Sequence, residues 1–261
     1  MPFLTARWSN LCLWTYPAPP HLLQPHLPPG LELDTRDGTA FVSLVAFDFL
    51  DTRVLRIAWP GHRNFPEINF RTYVRRPAAP GEPPERGVLF LREFISKPLV
   101  ATVARLFYNE PYAVSHLYSG QAKPPKTLSL QQREPSGSAA GPPSDNGTPE
   151  TLTIKHQLLH AGRLHTMAMS GQGPATCPDP SSTEHFFKEQ RWGFGRSRSG
   201  RLLRYEVIHP TWSCYRVTSQ FVDLDFAAVY GPQWCFLNDT PPVSTILAAG
   251  SEITISPKST F

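Results

Sequence analysis

The chain has 261 residues, 40% of them apolar, which is enough for one large domain with a real core or for two small ones. Its net charge of +4 is mild and its basic residues are mostly scattered, which speaks against a nucleic-acid-binding face. Its 29 prolines exclude many long helices, and no run approaches the roughly 18 apolar residues of a membrane span.

In chain order, residues 6–16 ("ARWSNLCLWTY") read as a strand, and Leu22, Leu23 and Leu27 suit a short helix stopped by Pro28, Pro29 and Gly30. The stretch "GTAFVSLVAFDFLDTRVL" is aromatic and β-branched, as in a long strand. From Glu67 the pattern has period two: Ile68, Phe70, Thr72 and Val74 on one side, Glu67, Asn69, Arg71, Tyr73 and Arg75 on the other. An acid, an amide and a guanidinium thus share one face of a strand with aromatic flanks. That face lines a pocket or faces water. "GEPPERG" turns into another strand, "GVLFLREFI". Val100, Val103, Ala104 and Phe107 then fall at helical spacing, with Ser96 as N-cap and Pro98 in the first turn.

Residues 120–150 are rich in Pro, Gly and Ser and poor in apolar side chains, as expected of a long surface loop inserted into one domain spanning 1–261, or of a linker between two domains. A strand pair turning at "HAGR" follows, and then a second loop at 170–182. Next comes a helix opened by Ser181 and Glu184 at capping-box spacing, and a hairpin around Ser199-Gly200. A strand at 213–218, a short helix ending at Gly231 and a last strand "SEITIS" complete the chain. Many strands, about three short helices and no βαβ alternation predict a mainly β (α+β) fold, an antiparallel barrel or sandwich with minor helices.

Cys12, Cys177, Cys214 and Cys235 are far apart and form no C-x-x-C pair. With an N-terminus that lacks a signal-peptide pattern, they read as reduced thiols of a soluble cytoplasmic protein. His156 and His160, four apart on a strand, stand roughly 13 Å from each other and do not predict a metal site. No phosphate loop or nucleophile elbow is present, and no metal or other cofactor is expected. His62 is either an acid/base group at a cavity mouth or a loop histidine bonded to backbone. The five arginines of "RWGFGRSRSGRLLR" read as the solvated side of a hairpin, with an acidic partner as the alternative.

Four segments together, "LPPGLELDTRDGTAFVSLVAFDF", "WPGHRNFPEINFRTYVRR", "GVLFLREFISKPLVATVARLFYNEPY" and "VIHPTWSCYRV", resemble the YqjF-like proteins, a bacterial family of unknown function that is itself similar to acetoacetate decarboxylase. The resemblance covers roughly residues 1–118 and 183–255 and implies a closed antiparallel barrel with an internal cavity. It also implies that Glu67, with Asn69 and Arg71, faces that cavity, that Arg7 stands near it from the first strand, and that Glu93 lies near the match. The decarboxylase pattern has two adjacent lysines, one of them a Schiff-base nucleophile made neutral by the other. Here Ser96-Lys97-Pro98 offers only one, so retention of that chemistry is not expected, and Lys97 is a weaker candidate for a second cation or an amine nucleophile. The expected ligand is a small anionic or carbonyl-bearing organic molecule. Arg71 would anchor it, Glu67 would exchange protons, and Arg7, His62, Asn69 and Glu93 would stand around it. The alternative is a non-catalytic scaffold with a filled barrel. Neither nucleic acid nor membrane is an expected partner, and the sequence does not reveal the oligomeric state.

Overall fold

In the computed structural model, residues 1–79, 81–122 and 151–261 are described. The surface-loop expectation for 120–150 falls, from residue 123 onward, outside them. The first half of the chain contributes β1 (Leu4–Ala18), α1 (Pro20–Leu23), β2 (Glu32–Leu33), β3 (Ala40–Val54), β4 (Phe65–Arg76) and β5 (Glu85–Ile95). Next come α2 (Pro98–Phe107), β6 (Tyr112–Val114) and β7 (His116–Ala122). The second half contributes β8 (Thr151–His160), β9 (Arg163–Thr176), α3 (Thr183–Lys188), β10 (Trp192–Arg196) and β11 (Leu202–Ile208). It ends with β12 (Cys214–Asp223), α4 (Phe226–Tyr230), β13 (Ser244–Ala248), β14 (Glu252–Ile255) and β15 (Ser259–Thr260). Among the described residues no helix is long and apolar enough to cross a membrane.

Strands β1, β3, β4, β5, β10, β11 and β14 pair in that order, and β14 returns to β1, closing a barrel. Every pair is antiparallel except β5 with β10. Residues 4–7 of β1 pair with β14, whereas residues 11–15 pair with β13. The handover is made at Asn10, whose φ of 52° is left-handed and which sits in a register break between Ser9 and Cys12. The carbonyl thus released accepts from Nε2 of the buried His156 at 2.8 Å.

From β13 the sheet continues through β12, β9 and β8 to β7. This extension folds back over the outer side of the barrel wall, where Ile154, Leu158, Met167 and Met169 meet Trp14, Leu44, Ile68 and Phe70. The α4 helix and the 3-10 turn after it fill the same layer with Phe226 and Trp234. Gly231 ends α4 with φ 115°, as its position in the sequence predicts. Strand β4 is therefore buried on both faces, one toward the barrel interior and one toward the second sheet.

Two predicted helix starts shift by one residue. α2 begins after Lys97 rather than Ser96, with Pro98 in its first turn. α3 is capped by Ser182, whose hydroxyl accepts from the His185 amide at 3.1 Å, while Ser181 instead donates to Asp179.

Candidate functional site

The inner face of β4 presents Glu67, Asn69 and Arg71 to the barrel interior, all three buried. The adjacent wall comes from β5. A bulge there sets Phe70 opposite Arg92 and Arg71 opposite Phe90, leaving Leu91 as an extra residue. The alternation is thereby reset, and both Phe90 and Glu93 line the interior. From the loop after α2, Glu110 turns inward behind Asn109, whose φ of 55° redirects the chain, and β6 follows with Tyr112. On the far wall, Tyr205 of β11 lies across Gly193 of β10.

These side chains surround two adjoining chambers. The inner one, about 60 Å³, is bounded by Asn69, Arg71, Glu93 and Trp212. The middle one, about 80 Å³, is bounded by Glu110, Tyr108, Val100 and Val103. Phe49, Glu67, Tyr112, Tyr205 and Ile255 belong to both.

The polar contacts are few and specific. Tyr112 donates to Glu67 Oε2 at 2.8 Å, Asn69 donates to Glu67 Oε1 at 3.3 Å, and Tyr205 donates to Glu110 Oε1 at 2.9 Å. Burial pushes the Glu67 carboxyl up to about 7, against the opposing pull of Tyr112, Asn69 and the Arg71 charge. Burial likewise pushes Glu110 up to about 8, with Tyr205 opposing and Glu67 reinforcing. Glu93 is held well above the usual carboxylate range by burial and then by Glu110 and Glu67. Its Oε2 is buried without a hydrogen-bond partner, as is Asn69 Oδ1. Arg71 is only 8% exposed. It donates through Nη2 to the Phe187 carbonyl at 3.3 Å, its Nε has no partner, and it forms no salt bridge among the described residues.

Glu67, Asn69, Arg71 and Glu93 thus come together. Three other residues named from the sequence do not join them. Arg7 is exposed, because its neighbours Ala6 and Trp8 face the barrel interior and strand alternation turns Arg7 outward. Lys97 is half-exposed at the start of α2 and is among the walls of neither chamber. His62 is half-buried, donates through Nδ1 to the Pro60 carbonyl at 2.9 Å, and lines an outer groove. Tyr205 carries no signal in the sequence as a site residue, and the stretch from Tyr108 to Tyr112 reads first as a helix end and only second as a ligand contact. Glu110 and Tyr112 bracket Pro111 in "NEPY", which by pattern reads as a helix end.

A family model described as an uncharacterized conserved protein matches residues 5–252, a span that includes every acid of the site. The chain belongs to the DUF2071 family. This DUF2071 chain is 31% identical over 113 residues to YqjF of Bacillus subtilis (strain 168), a match covering 43% of this chain and 44% of that relative, so less than half of YqjF is spanned. Among solved structures, acetoacetate decarboxylase from Legionella pneumophila aligns with a TM-score of 0.60 at 13% identity, over 98% of this chain and 87% of that one. An acetoacetate decarboxylase-like enzyme from Sphingomonas wittichii RW1 gives 0.60 at 11%, over 100% and 94%. The enduracididine biosynthesis enzyme MppR complexed with pyruvate gives 0.59 at 12%, over 100% and 90%. At these identities the likeness establishes a shared fold, and the DUF2071 barrel has the architecture of these enzymes.

Proposed function

We propose that the barrel interior binds a small organic acid or carbonyl compound, with Arg71 as the anchor for its anionic group and Glu67 as the proton-exchanging group beside it. The single observation that carries this is the Arg71 guanidinium, buried, charged, and without a carboxylate partner among the described residues, on the wall of a polar chamber. A buried cation left uncompensated is costly, and a ligand carboxylate is the partner a planar guanidinium fits best. The chamber of about 60 Å³ admits only a few atoms, so the group held there is small. Glu67, poised near 7, can take or give a proton at neutral pH. Glu93, whose carboxyl burial pushes well above the usual carboxylate range, has an oxygen without a partner that, when protonated, would donate to a ligand carbonyl. That one structural relative is complexed with pyruvate makes 2-oxo acids the natural probes.

The filled-scaffold alternative receives less support. In the arginine-rich hairpin, Arg191 pairs with Glu206 and Arg204 with Glu85, while Arg196 and Arg201 donate to the carbonyls of Leu27 and Phe261. Those four are already engaged within the chain.

A thermal-shift titration with pyruvate tests the reading. Stabilisation by RT ln(1 + [L]/Kd) is expected for the wild type and for Lys97→Ala, and is lost in Arg71→Ala. Borohydride is expected to trap no adduct. Undiminished binding by Arg71→Ala, or a trapped adduct at Lys97, overturns the assignment of roles.

A further inference from the structure

Outside the polar chambers, the largest feature facing the same passage is an apolar groove of about 190 Å³ between α2 and the β3–β4 connection. Apart from Thr52 and His62, its walls are apolar, and Leu55, Trp59, Leu99 and Phe107 there are each about half exposed. A soluble surface seldom leaves so many large apolar side chains together unless something covers them. The groove is not an isolated dimple. It shares Phe3, Val54, Val100 and Val103 with the middle chamber, and the middle chamber shares Glu67, Tyr112 and Tyr205 with the inner one that holds Arg71. Polarity falls steadily along this series: a guanidinium and acids at the inner end, acids and phenols against aliphatics in the middle, almost wholly hydrocarbon outside.

We infer that the ligand is an amphipath, a 2-oxo or related carboxylic acid with an unbranched or aryl apolar tail, whose tail runs past Val100 and Val103 into the groove formed by Leu55, Trp59 and Leu99. This deepens the proposed function and rests on its placement of the acid group at Arg71. The inner chamber is too small for the whole of such a molecule, and the groove has no polar fixtures with which to hold a second head group. One molecule spanning both ends satisfies the unpaired cation inside and covers the bare aromatics outside. His62 at the groove wall stands where the tail ends, which gives it a place at the mouth without a role in chemistry.

Isothermal titration of pyruvate against 2-oxooctanoate tests this, with Trp59 fluorescence followed in parallel. Each methylene moved from water to an apolar wall tightens binding about fourfold, so five added methylenes are expected to tighten it at least about tenfold even if some stay wet. The emission due to Trp59, taken as the difference between the wild type and Trp59→Phe because five other tryptophans also emit, is expected to shift to the blue with 2-oxooctanoate and to stay put with pyruvate. Leu99→Ser, and separately Leu55→Ser, both at exposed positions of the groove that line neither chamber, are expected to abolish much of that gain and leave pyruvate affinity unchanged. Equal affinities for the two acids, with pyruvate binding still dependent on Arg71, overturn the tail assignment and leave the proposed function standing. Binding of neither acid overturns both. Tight 2-oxooctanoate binding that survives Arg71→Ala keeps the groove but overturns the head-group placement, and with it the amphipath spanning both ends.

Discussion

Replacing Glu67 with Gln isolates what burying an acid in the barrel costs. In the folded chain its carboxyl is raised from 4.5 to about 7, chiefly by burial. Between those values the folded chain holds a proton that the unfolded chain has released, so wild-type stability falls as pH rises through this window and levels off above it. The interval corresponds to about 3 kcal/mol, and because Glu93 and Glu110 respond to the same charge, ~1–3 kcal/mol is the amount expected to move with Glu67 alone. Glutamine fits the contacts. Its carbonyl accepts from Tyr112 as the carboxylate does, and a flipped Asn69 accepts from the new amide through the Oδ1 that now has no partner. Urea unfolding at about pH 5 and about pH 8.5 gives the readout. E67Q is expected to gain ~1–3 kcal/mol over the wild type at the higher pH and much less at the lower. A gap of the same size at both would refute the idea that Glu67 titrates in a buried, costly environment.

Two further substitutions probe the supports of the site. Phe70 is fully buried, stacked on Tyr230 at 4.4 Å and edge-on to Trp234 at 4.9 Å, so F70A is expected to cost ~3–5 kcal/mol in chemical denaturation, and a loss under about 1 kcal/mol would mean that the layer behind β4 is not packed as described. A methyl group at Gly193 would stand 2.2 Å from the Tyr205 ring, so G193A must swing that ring off Glu110; about 1–3 kcal/mol of stability and much of the ligand affinity should go with it, and a variant with unchanged binding would remove Tyr205 from the site.

The polar face of β4 was legible because period two needs no tertiary information, and its aromatic flanks argued against water. The decarboxylase resemblance supplied the closed barrel. What the strand pattern did not carry was the fold-back of β7, β8, β9, β12 and β13 over β4, because a strand buried on both sides and a strand on a curved edge share the same apolar pattern. Arg7 misled because it was carried over from the resemblance, whereas alternation with the inward-facing Ala6 and Trp8 turns it outward. Glu110 was illegible for another reason: its direction depends on the left-handed turn at Asn109, and an Asn–Glu–Pro sequence after a helix describes an ordinary exit equally well. Tyr205 is visible only through its packing over a glycine on the neighbouring strand, a relation between segments that a linear reading does not bring together.

The extra residue in β5 has an electrostatic consequence. In a strand with unbroken alternation Phe90 would be followed inward by Arg92, and Glu93 would point away from the interior. The irregularity at Leu91 selects the acid instead and sends the arginine out to lie over Phe94. Whether β5 presents a carboxyl group or a guanidinium to the barrel interior is thus encoded by a count of residues rather than by their identity. A relative that aligned residue for residue but ran straight here would present a cation beside Arg71 in place of an acid.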